Sequence, residues 1–564
     1  MSESVRLASG GRDPGRRQGV WPALVLEATA VFVVLALVFA KLAEMSGDGW
    51  RAVFLANGDS LVLPLLLQSF ERGEPFDWVF SSQTFFFPEF PLYAICAVIM
   101  GSPQAALVLN AILNVLLLYV GFRAVTAAFA PGRRFRQVVV ALVGVGLFLV
   151  ATLAEASVRI LGAGTVELSR ITTVFLMTTY YSGALLVSLG MLALILWVSR
   201  RFQGGPADRR RVLVYAAVAI VVSGAATYSN PLYVLWFLAP FGAALLVLLI
   251  VRRLTLRWVL ILAFPQVLGL GAGMLARVVF ARYIAANLDH YLSSYGIPQA
   301  AELLVRIGAG WLGSPLGILQ LLILLVPIAG VTVFLVRHGR RRATVAELFL
   351  ASFILLSIVS LLAVQIGTGQ SVTRYLLPLF VFPPLGLLLV RFEQIERRAR
   401  STSRRLRVVV AVALAGAAAL TVGVSAPAVA DLGSPRSPVD TACLADWLAT
   451  RPDGGRQVNG VGSFWTVRAL ALYGTQTGRL VQVVMPLSIH DWMTNLALYD
   501  GADFSYVIVD RVITGSDIED ALGSPSAITR CDGFRIYDYA GTHGETVLNA
   551  DILRSADILR LDHP

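Results

Sequence analysis

Ala28-Thr29-Ala30-Val31-Phe32-Val33-Val34-Leu35-Ala36-Leu37-Val38-Phe39-Ala40 carries no ionisable group and forms the centre of an apolar run from Trp21 to Met45. Coiled as a helix at about 1.5 Å per residue, such a run crosses the roughly 30 Å of hydrocarbon in a bilayer. Comparable runs recur as far as Ala426, at about 21–45, 103–126, 138–157, 173–198, 212–229, 231–251, 258–281, 314–336, 345–366, 375–391 and 407–426, each bounded by charge or by Gly/Pro turn signals. The expectation is an all-α polytopic membrane protein of about eleven spans.

Composition excludes the soluble classes. Of 564 residues, 57% are hydrophobic and 14% charged, with a mean hydropathy of +0.73, whereas soluble domains carry about 25% charged residues. The net charge of +11 does not point to nucleic acid, because it is unevenly placed. Residues 1–430 hold 36 basic and 18 acidic groups, and residues 431–564 hold 10 basic and 17 acidic. The basic groups cluster between apolar runs. With the N-terminus inside, the inner segments (1–20, 123–137, 199–211, 252–257, 337–342 and 391–407) collect 27 arginines, as the positive-inside rule requires of cytoplasmic loops. Arg6, Arg12, Arg16 and Arg17 precede a run too long for a signal-peptide core, which reads as a retained signal anchor. Forty-five arginines against the single Lys41 suggest a high-G+C genome, hence a bacterium and its inner membrane.

Phe85–Met100 is apolar but short, and Pro88, Glu89 and Pro91 interrupt it. A span there would invert the charge pattern of everything that follows, so it reads as an interfacial segment within an outer loop covering 46–102. An odd span count leaves 431–564 outside. There, β-rich runs (Val458–Phe464, Leu480–Met485, Ser505–Asp510, Phe534–Tyr539) alternate with helical patterns around Trp465–Tyr473 and Ser488–Tyr499, giving an extracytoplasmic α/β domain. Cys443 and Cys531 bracket this domain, and an oxidising exterior permits a disulfide between them; two buried thiols are the alternative. The organisation is thus a basic arm (1–20), a transmembrane domain (21–430) and the tail domain (431–564).

An ionisable group near hydrocarbon costs roughly 2.5–3.5 kcal/mol, so outer-side charges must be solvated, paired or functional. Asp59 stands out in the turn Asn57-Gly58-Asp59-Ser60, directly before Leu61-Val62-Leu63-Pro64-Leu65-Leu66-Leu67. As an isolated feature it reads as a helix N-cap. Its surroundings give it a second reading. After one span and this acidic turn come Gly73-Glu74-Pro75-Phe76 and Phe86-Phe87-Pro88-Glu89-Phe90-Pro91-Leu92-Tyr93, then a long span, and late in the chain Thr373-Arg374-Tyr375-Leu376-Leu377-Pro378-Leu379-Phe380.

This order resembles the GT-C superfamily of membrane glycosyltransferases, in particular the branch of protein O-mannosyltransferases and lipid A aminoarabinose transferases. The resemblance covers the membrane part in layout, with degenerate motifs. The family's Lys-Pro-Pro-Leu turn is replaced here by Pro88-Glu89-Phe90-Pro91-Leu92. It implies a GT-C-like fold and transfer of a sugar from a polyprenyl-phosphate donor to an envelope acceptor at the outer face. It also implies that Asp59 is the catalytic base, with a second site carboxylate at Glu155 or Glu167. Elementary chemistry asks for the same parts, since a glycosyl acceptor must lose a proton to a base and the leaving phosphate is an anion that guanidinium binds well.

Arg374, beside Tyr375 and matching the family segment, is the leading phosphate ligand, with a snorkelling interfacial anchor as its alternative. Glu89, Arg159, Arg170 and Arg282 complete the substrate-binding candidates, and Arg306 is a weaker one. No cluster has metal-ligand spacing, although a divalent ion between Asp59 and Glu155 or Glu167 is kept open. His290 reads as a local partner of Asp289, Tyr180 and Tyr181 as helix-packing groups, and Phe464-Trp465 and Asp491-Trp492 as an edge of the tail's core. Two rival functions remain, a lipid-linked sugar transporter or flippase, and a non-catalytic scaffold presenting the tail. If the orientation is right, an alkaline phosphatase fused after Pro564 is active and the same reporter inserted among Arg209–Arg211 is inactive; the reverse pattern overturns it.

Overall fold

The computed structural model describes residues 20–155, 170–199, 209–285, 296–338, 343–370, 372–390, 404–451, 458–474 and 478–562. Arg159, Glu167 and His290 lie outside the described residues. The membrane part begins with α1 (Val20–Met45), whose following loop holds α2 (Asp48–Ala56), α3 (Val62–Glu71), the two-residue strand β1 (Trp78–Val79) and α4 (Glu89–Met100). Then come α5 (Pro103–Phe129), α6 (Arg134–Ala154), α7 (Ser182–Ser199), α8 (Arg209–Ser229), α9 (Ala239–Ile250), α10 (Leu256–Val279), α11 (Ile297–Leu312), α12 (Pro315–His338), α13 (Val345–Gly367) and α14 (Arg404–Leu432).

Among the described residues, nine helices are long and apolar enough to cross a membrane, which makes this a multi-pass membrane protein. The chemistry of their ends is visible in the sequence. The Ser102 side chain accepts from Ala105 N at the start of α5, with Pro103 in its first turn. Thr344 and Glu347 form a capping box on α13. Glu27, early in α1, takes two bonds from Arg123 of α5 at 2.8 and 3.2 Å and one from Tyr119.

The two remaining expected spans are shorter and irregular. In 231–251 a π-turn over Val234–Leu238 leads into α9. In 375–391 the chain forms two 3₁₀ segments, Thr373–Phe380 and Pro383–Leu389. Pro378, Pro383 and Pro384 remove the donors and the room that an α-helix needs. A 3₁₀ rise of about 2.0 Å per residue still carries the segment across roughly 34 Å. Its backbone is buried among neighbouring helices, the condition under which irregular chain is tolerated at membrane depth.

A further departure decides where the site forms. The segment expected as one span over 173–198 is helical only from Ser182; before it the chain makes a 3₁₀ turn at Thr173–Leu176 and a run of turns and bends over 177–181. Tyr180 and Tyr181 therefore stand at the mouth of α7 and are not mid-span packing groups. Thr172, Thr173, Thr178 and Thr179, all buried, give this stretch hydroxyls that compete for backbone partners.

The tail holds α15 (Thr441–Ala449), β2 (Asn459–Gly462), α16 (Phe464–Tyr473), β3 (Leu480–Val484), β4 (Ser488–Ile489), β5 (Thr494–Asn495), β6 (Phe504–Val509), α17 (Gly515–Leu522), β7 (Ala527–Arg530), β8 (Arg535–Asp538) and α18 (His543–Asp562). Six strands form one sheet in the order β4-β3-β2-β6-β8-β7, with β2 parallel to both neighbours and β8 antiparallel to β6 and β7. Along β6, Val507 and Val509 pack with Ile518, Leu548 and Ile552 on one face, while Tyr506 and Ile508 pack with Leu444, Val467 and Leu470 on the other. This is the expected α/β domain. The helical pattern around Ser488–Tyr499 is not a helix; it is β4, β5 and one 3₁₀ turn. Cys443 and Cys531 form a disulfide.

The tail is stitched to the first loop. β1 pairs antiparallel with β5, placing Trp78 opposite Asn495 and Val79 opposite Thr494. Asn495 is fully buried; its Nδ2 donates to Pro75 O at 3.0 Å, and its Oδ1 accepts from Asp77 N at 3.1 Å. Tyr473 donates to Leu55 O at 2.7 Å, and the same loop is tied to the end of α14 by Arg51 and Asp431 at 2.7 Å. Replacing Asn495 with Ala removes both part-buried bonds across the seam, each worth about 0.5–1.5 kcal/mol. Asn495→Ala is expected to lower the thermal midpoint of the purified protein and to speed proteolysis between the two parts; an unchanged midpoint means the seam is held elsewhere.

Candidate active site

The acidic turn is shaped from within. Asn57 Oδ1 accepts from the backbone N–H of Asp59 at 2.9 Å, an Asx-turn that bends the chain between α2 and α3. Gly58 is buried beneath the ring of Phe464, and a Cβ at this position would lie 2.3 Å from a ring carbon, so no larger residue fits unless that ring moves. The start of α3 is marked by Leu61, with no side-chain cap. Asp59 is therefore not the helix cap that its position first suggests. Its half-buried carboxylate accepts from Tyr180 Oη at 3.2 Å.

The stretch before α7 grips the same turn by its backbone. Thr179 Oγ1 donates to Asp59 O at 2.8 Å and Thr178 Oγ1 to Ser60 O at 2.9 Å. Tyr181 adopts a left-handed φ of 70°, uncommon for an aromatic residue and costly unless packing enforces it. Phe85, Trp236, Tyr375 and Tyr180 surround its ring with centroids at 5.8 to 6.5 Å.

Arg374 lies on this aromatic bed. Its Nε donates to Tyr181 Oη at 3.1 Å, and its guanidinium stands 5.3 Å over the Tyr180 ring and 5.8 Å over that of Tyr181. Thr373, one residue earlier, ties the late segment down by donating to Arg170 O at 3.3 Å. One side chain, Tyr180, thus touches both Asp59 and Arg374, which are far apart in sequence.

The other sequence candidates fall around this pair. Glu155, 3% exposed, accepts from the backbone N–H groups of Ile171, Thr172 and Thr173 at 2.7 to 2.8 Å, with donors on both oxygens. It orders the stretch that leads to Tyr180, and with both oxygens engaged it does not fit an ion shared with Asp59. Arg170 is buried 5.5 Å over the Trp50 ring. Lys41 shares that ring at 5.4 Å and donates to Glu44 and to Glu155 O. Arg282 instead meets Asp77 at 3.9 Å and lies over Tyr283 at 4.6 Å, docking its segment on the first loop. Exposed Arg306 pairs with Glu302 one turn away.

Glu89, 4% exposed, faces the first turn of α7 so closely that a Cβ on Gly183 would lie 2.5 Å from its carboxyl carbon. Burial pushes its carboxyl up to about 8, while the backbone N–H groups of Glu89 and Gly183 pull the other way. At neutral pH it is chiefly the neutral acid. Among the described residues, the one group of three ligating side chains close enough to hold a metal is Asp440, Cys443 and Cys531, and its two sulfurs are already bonded to each other.

The tail supplies what the sequence did not single out. Arg468, 4% exposed, donates Nη1 to Gly58 O at 2.7 Å and Nη2 to Met493 O. Its guanidinium stacks 4.5 Å over Phe464, whose ring also meets His490 edge-on at 5.5 Å. Phe464 thus packs on the acidic turn, beyond the tail's own core. A cleft of about 590 Å³ opens beside this contact, between α3 and β3, lined among others by Gln68, Arg72, Arg468, Arg479 and Asn495.

No family model and no curated protein matches the chain. Among solved structures it is similar to ArnT from Cupriavidus metallidurans bound to undecaprenyl phosphate, at 15% identity and a TM-score of 0.48, over 91% of this chain and 98% of that one. It is also similar to the Archaeoglobus fulgidus oligosaccharyltransferase tethered with an acceptor peptide, at 14% identity and a TM-score of 0.46, over 96% of this chain and 72% of that one. Likenesses of this size carry no argument, and the site stands on its own geometry.

Two buried carboxyls should respond unequally to amide replacement. Glu89→Gln resembles the neutral acid and breaks no charge-assisted bond, so it should cost less stability than Glu155→Gln. Glu155→Gln has one acceptor oxygen for three donors and turns an NH₂ toward an N–H, costing roughly 2–3 kcal/mol. Thermal unfolding of both proteins in detergent checks the contrast, and equal midpoints contradict the assigned environments.

Proposed function

We propose that the chain is a membrane glycosyltransferase of the GT-C type, moving a sugar from a polyprenyl-phosphate-linked donor to an envelope acceptor at the outer face. The observation that carries this reading is the chain Asp59–Tyr180–Arg374, a carboxylate and a guanidinium held on one tyrosine. The acceptor's O–H gives its proton to the carboxylate of Asp59 while the acceptor oxygen bonds to the anomeric carbon. The bond from that carbon to the donor phosphate oxygen breaks, and the phosphate leaves with the electron pair. Arg374 receives the growing charge on the phosphate with a cation that stays protonated at any physiological pH. Tyr180 orients the base, and Tyr375 holds Tyr181 beneath Arg374. Glu155 and Arg170 fix the stretch that bears both tyrosines.

Orientation follows the arginine clusters, with the N-terminus in the cytoplasm and the tail outside the inner membrane, where the Cys443–Cys531 disulfide suits an oxidising compartment. A scaffold that merely presents the tail has no use for Arg468 and Phe464 locked on the acidic turn, so the enzyme reading is favoured over it.

The test compares envelope glycans, by mass spectrometry of released sugars and lipids, in the deleted strain and in strains rescued with wild type, Asp59→Asn or Arg374→Gln. Asp59→Asn should lower transfer by about 10²–10⁴-fold at normal protein level. Arg374→Gln should fall about 10²–10³-fold, as for loss of a group that stabilises developing charge. Full product from a folded Asp59→Asn protein rejects the assignment.

A further inference from the structure

We propose that Arg468, carried by α16 of the tail domain, is a positioning residue for the carboxylate of Asp59, so that the active site is completed across the seam between the two parts of the chain. The inference rests on the reading of Asp59 as base. It starts from an oddity of placement. A guanidinium buried to 4% exposure is costly unless its protons are satisfied and its charge is answered. Its protons go to Gly58 O and Met493 O, two neutral carbonyls that a neutral donor would serve as well. Asp59, in the turn that Arg468 grips, favours its charged form against burial without a direct ion pair. Burial brings Arg468 down to about 10, which leaves it a cation at neutral pH.

The contact is made at the one point where it controls direction. Gly58 O belongs to the peptide that leads into Asp59, so a donor fixed there fixes the orientation of the next residue's side chain. Phe464 closes the same point from the side, under the guanidinium and over Gly58. Thr178 and Thr179 hold the turn from the membrane part. The turn is therefore clamped between two regions that only the folded chain brings together.

Several charged or titratable groups surround Asp59. Tyr180 comes from the stretch before α7, with Arg374 on the far side of its ring. Arg468 comes from α16, with Tyr499 near it. His490 and Asp491 come from the connection between β4 and β5; burial lowers the His490 imidazole, Asp491 and Asp59 oppose, and Arg468 adds to the lowering. Arg468 is thus the cation set directly against the turn.

The experiment uses membranes of the deleted source strain complemented with full-length variants. It follows formation of the envelope glycan that deletion removes, across a buffered pH series. Folding is read independently from the thermal midpoint and from the Cys443–Cys531 disulfide on non-reducing gels. Arg468→Gln removes the charge and should move the acid limb of the activity profile to higher pH. Arg468→Lys keeps the charge without the two-pronged reach, so its acid limb should stay in place while the rate falls about tenfold. A folded Arg468→Gln protein with the wild-type acid limb, or with activity reduced equally at every pH, overturns the proposal. If Arg468→Gln does not accumulate, Arg468→Lys decides: a lowered rate with an unmoved limb supports it, and a wild-type rate overturns it. Asp59→Asn run alongside separates the two failures. If that variant makes normal product, the base assignment falls and this proposal with it; if it is inactive while Arg468→Gln keeps the wild-type limb, only the positioning role falls.

Discussion

A single hydrogen bond, from Arg468 to the carbonyl oxygen of Gly58, joins residues 410 positions apart and marks the constraint on which the rest of the structure depends. A turn of four residues between two short helices has too few contacts of its own to hold a carboxylate in one direction. Here it is held by threonine hydroxyls from the mouth of a transmembrane helix on one side and by an arginine and a phenylalanine from the tail on the other. The β1–β5 pairing and the buried Asn495 keep the tail in place, so the sheet of the tail domain and the helices of the membrane domain act through one seam.

The parts of the membrane domain nearest the site are those that are not regular helix. The 3₁₀ turn at Thr173–Leu176, the turns and bends bearing Tyr180 and Tyr181, and the proline-broken segment bearing Arg374 all leave backbone groups unpaired within their own segments. Such chain is tolerated in an apolar domain only where side chains or other backbone satisfy it. Glu155 does so for three successive N–H groups, and Thr373 does so for Arg170 O. Regular helices give the walls, and the irregular stretches give side chains the freedom of direction that a polar site needs.

Much of this was legible in the sequence. Apolar run length fixed the spans, because hydrocarbon thickness translates directly into residue count. Continuous apolar β-rich runs marked the strands at 480–484 and 504–509, and position together with the family-like segments drew attention to Asp59 and Arg374. Tyr180 was misread because a hydrophobic run that begins 3₁₀ and ends α-helical has the same composition as a continuous helix; the clustered threonines were the available signal. The stretch 488–499 was misread for a related reason, since its spacing of apolar residues suits a helix as well as two short strands. Arg468 gave no signal, because an arginine on an amphipathic helix ordinarily faces water.

The sequence by itself determined that the chain crosses a membrane many times, that an α/β domain follows, and which isolated residues carry the right chemistry. These properties are local, set by the solvation of each segment and the period of its side chains. Only the tertiary structure decided that Asp59 is no helix cap, that Tyr180 lies between it and Arg374, that Glu155 is occupied by backbone donors, and that the tail closes over the acidic turn. The Glu155 bonds span 16 to 18 residues, while the Tyr180–Asp59 and Arg468–Gly58 contacts join positions 121 and 410 apart. Their geometry depends on how helices and sheet pack against one another, which no window of sequence contains.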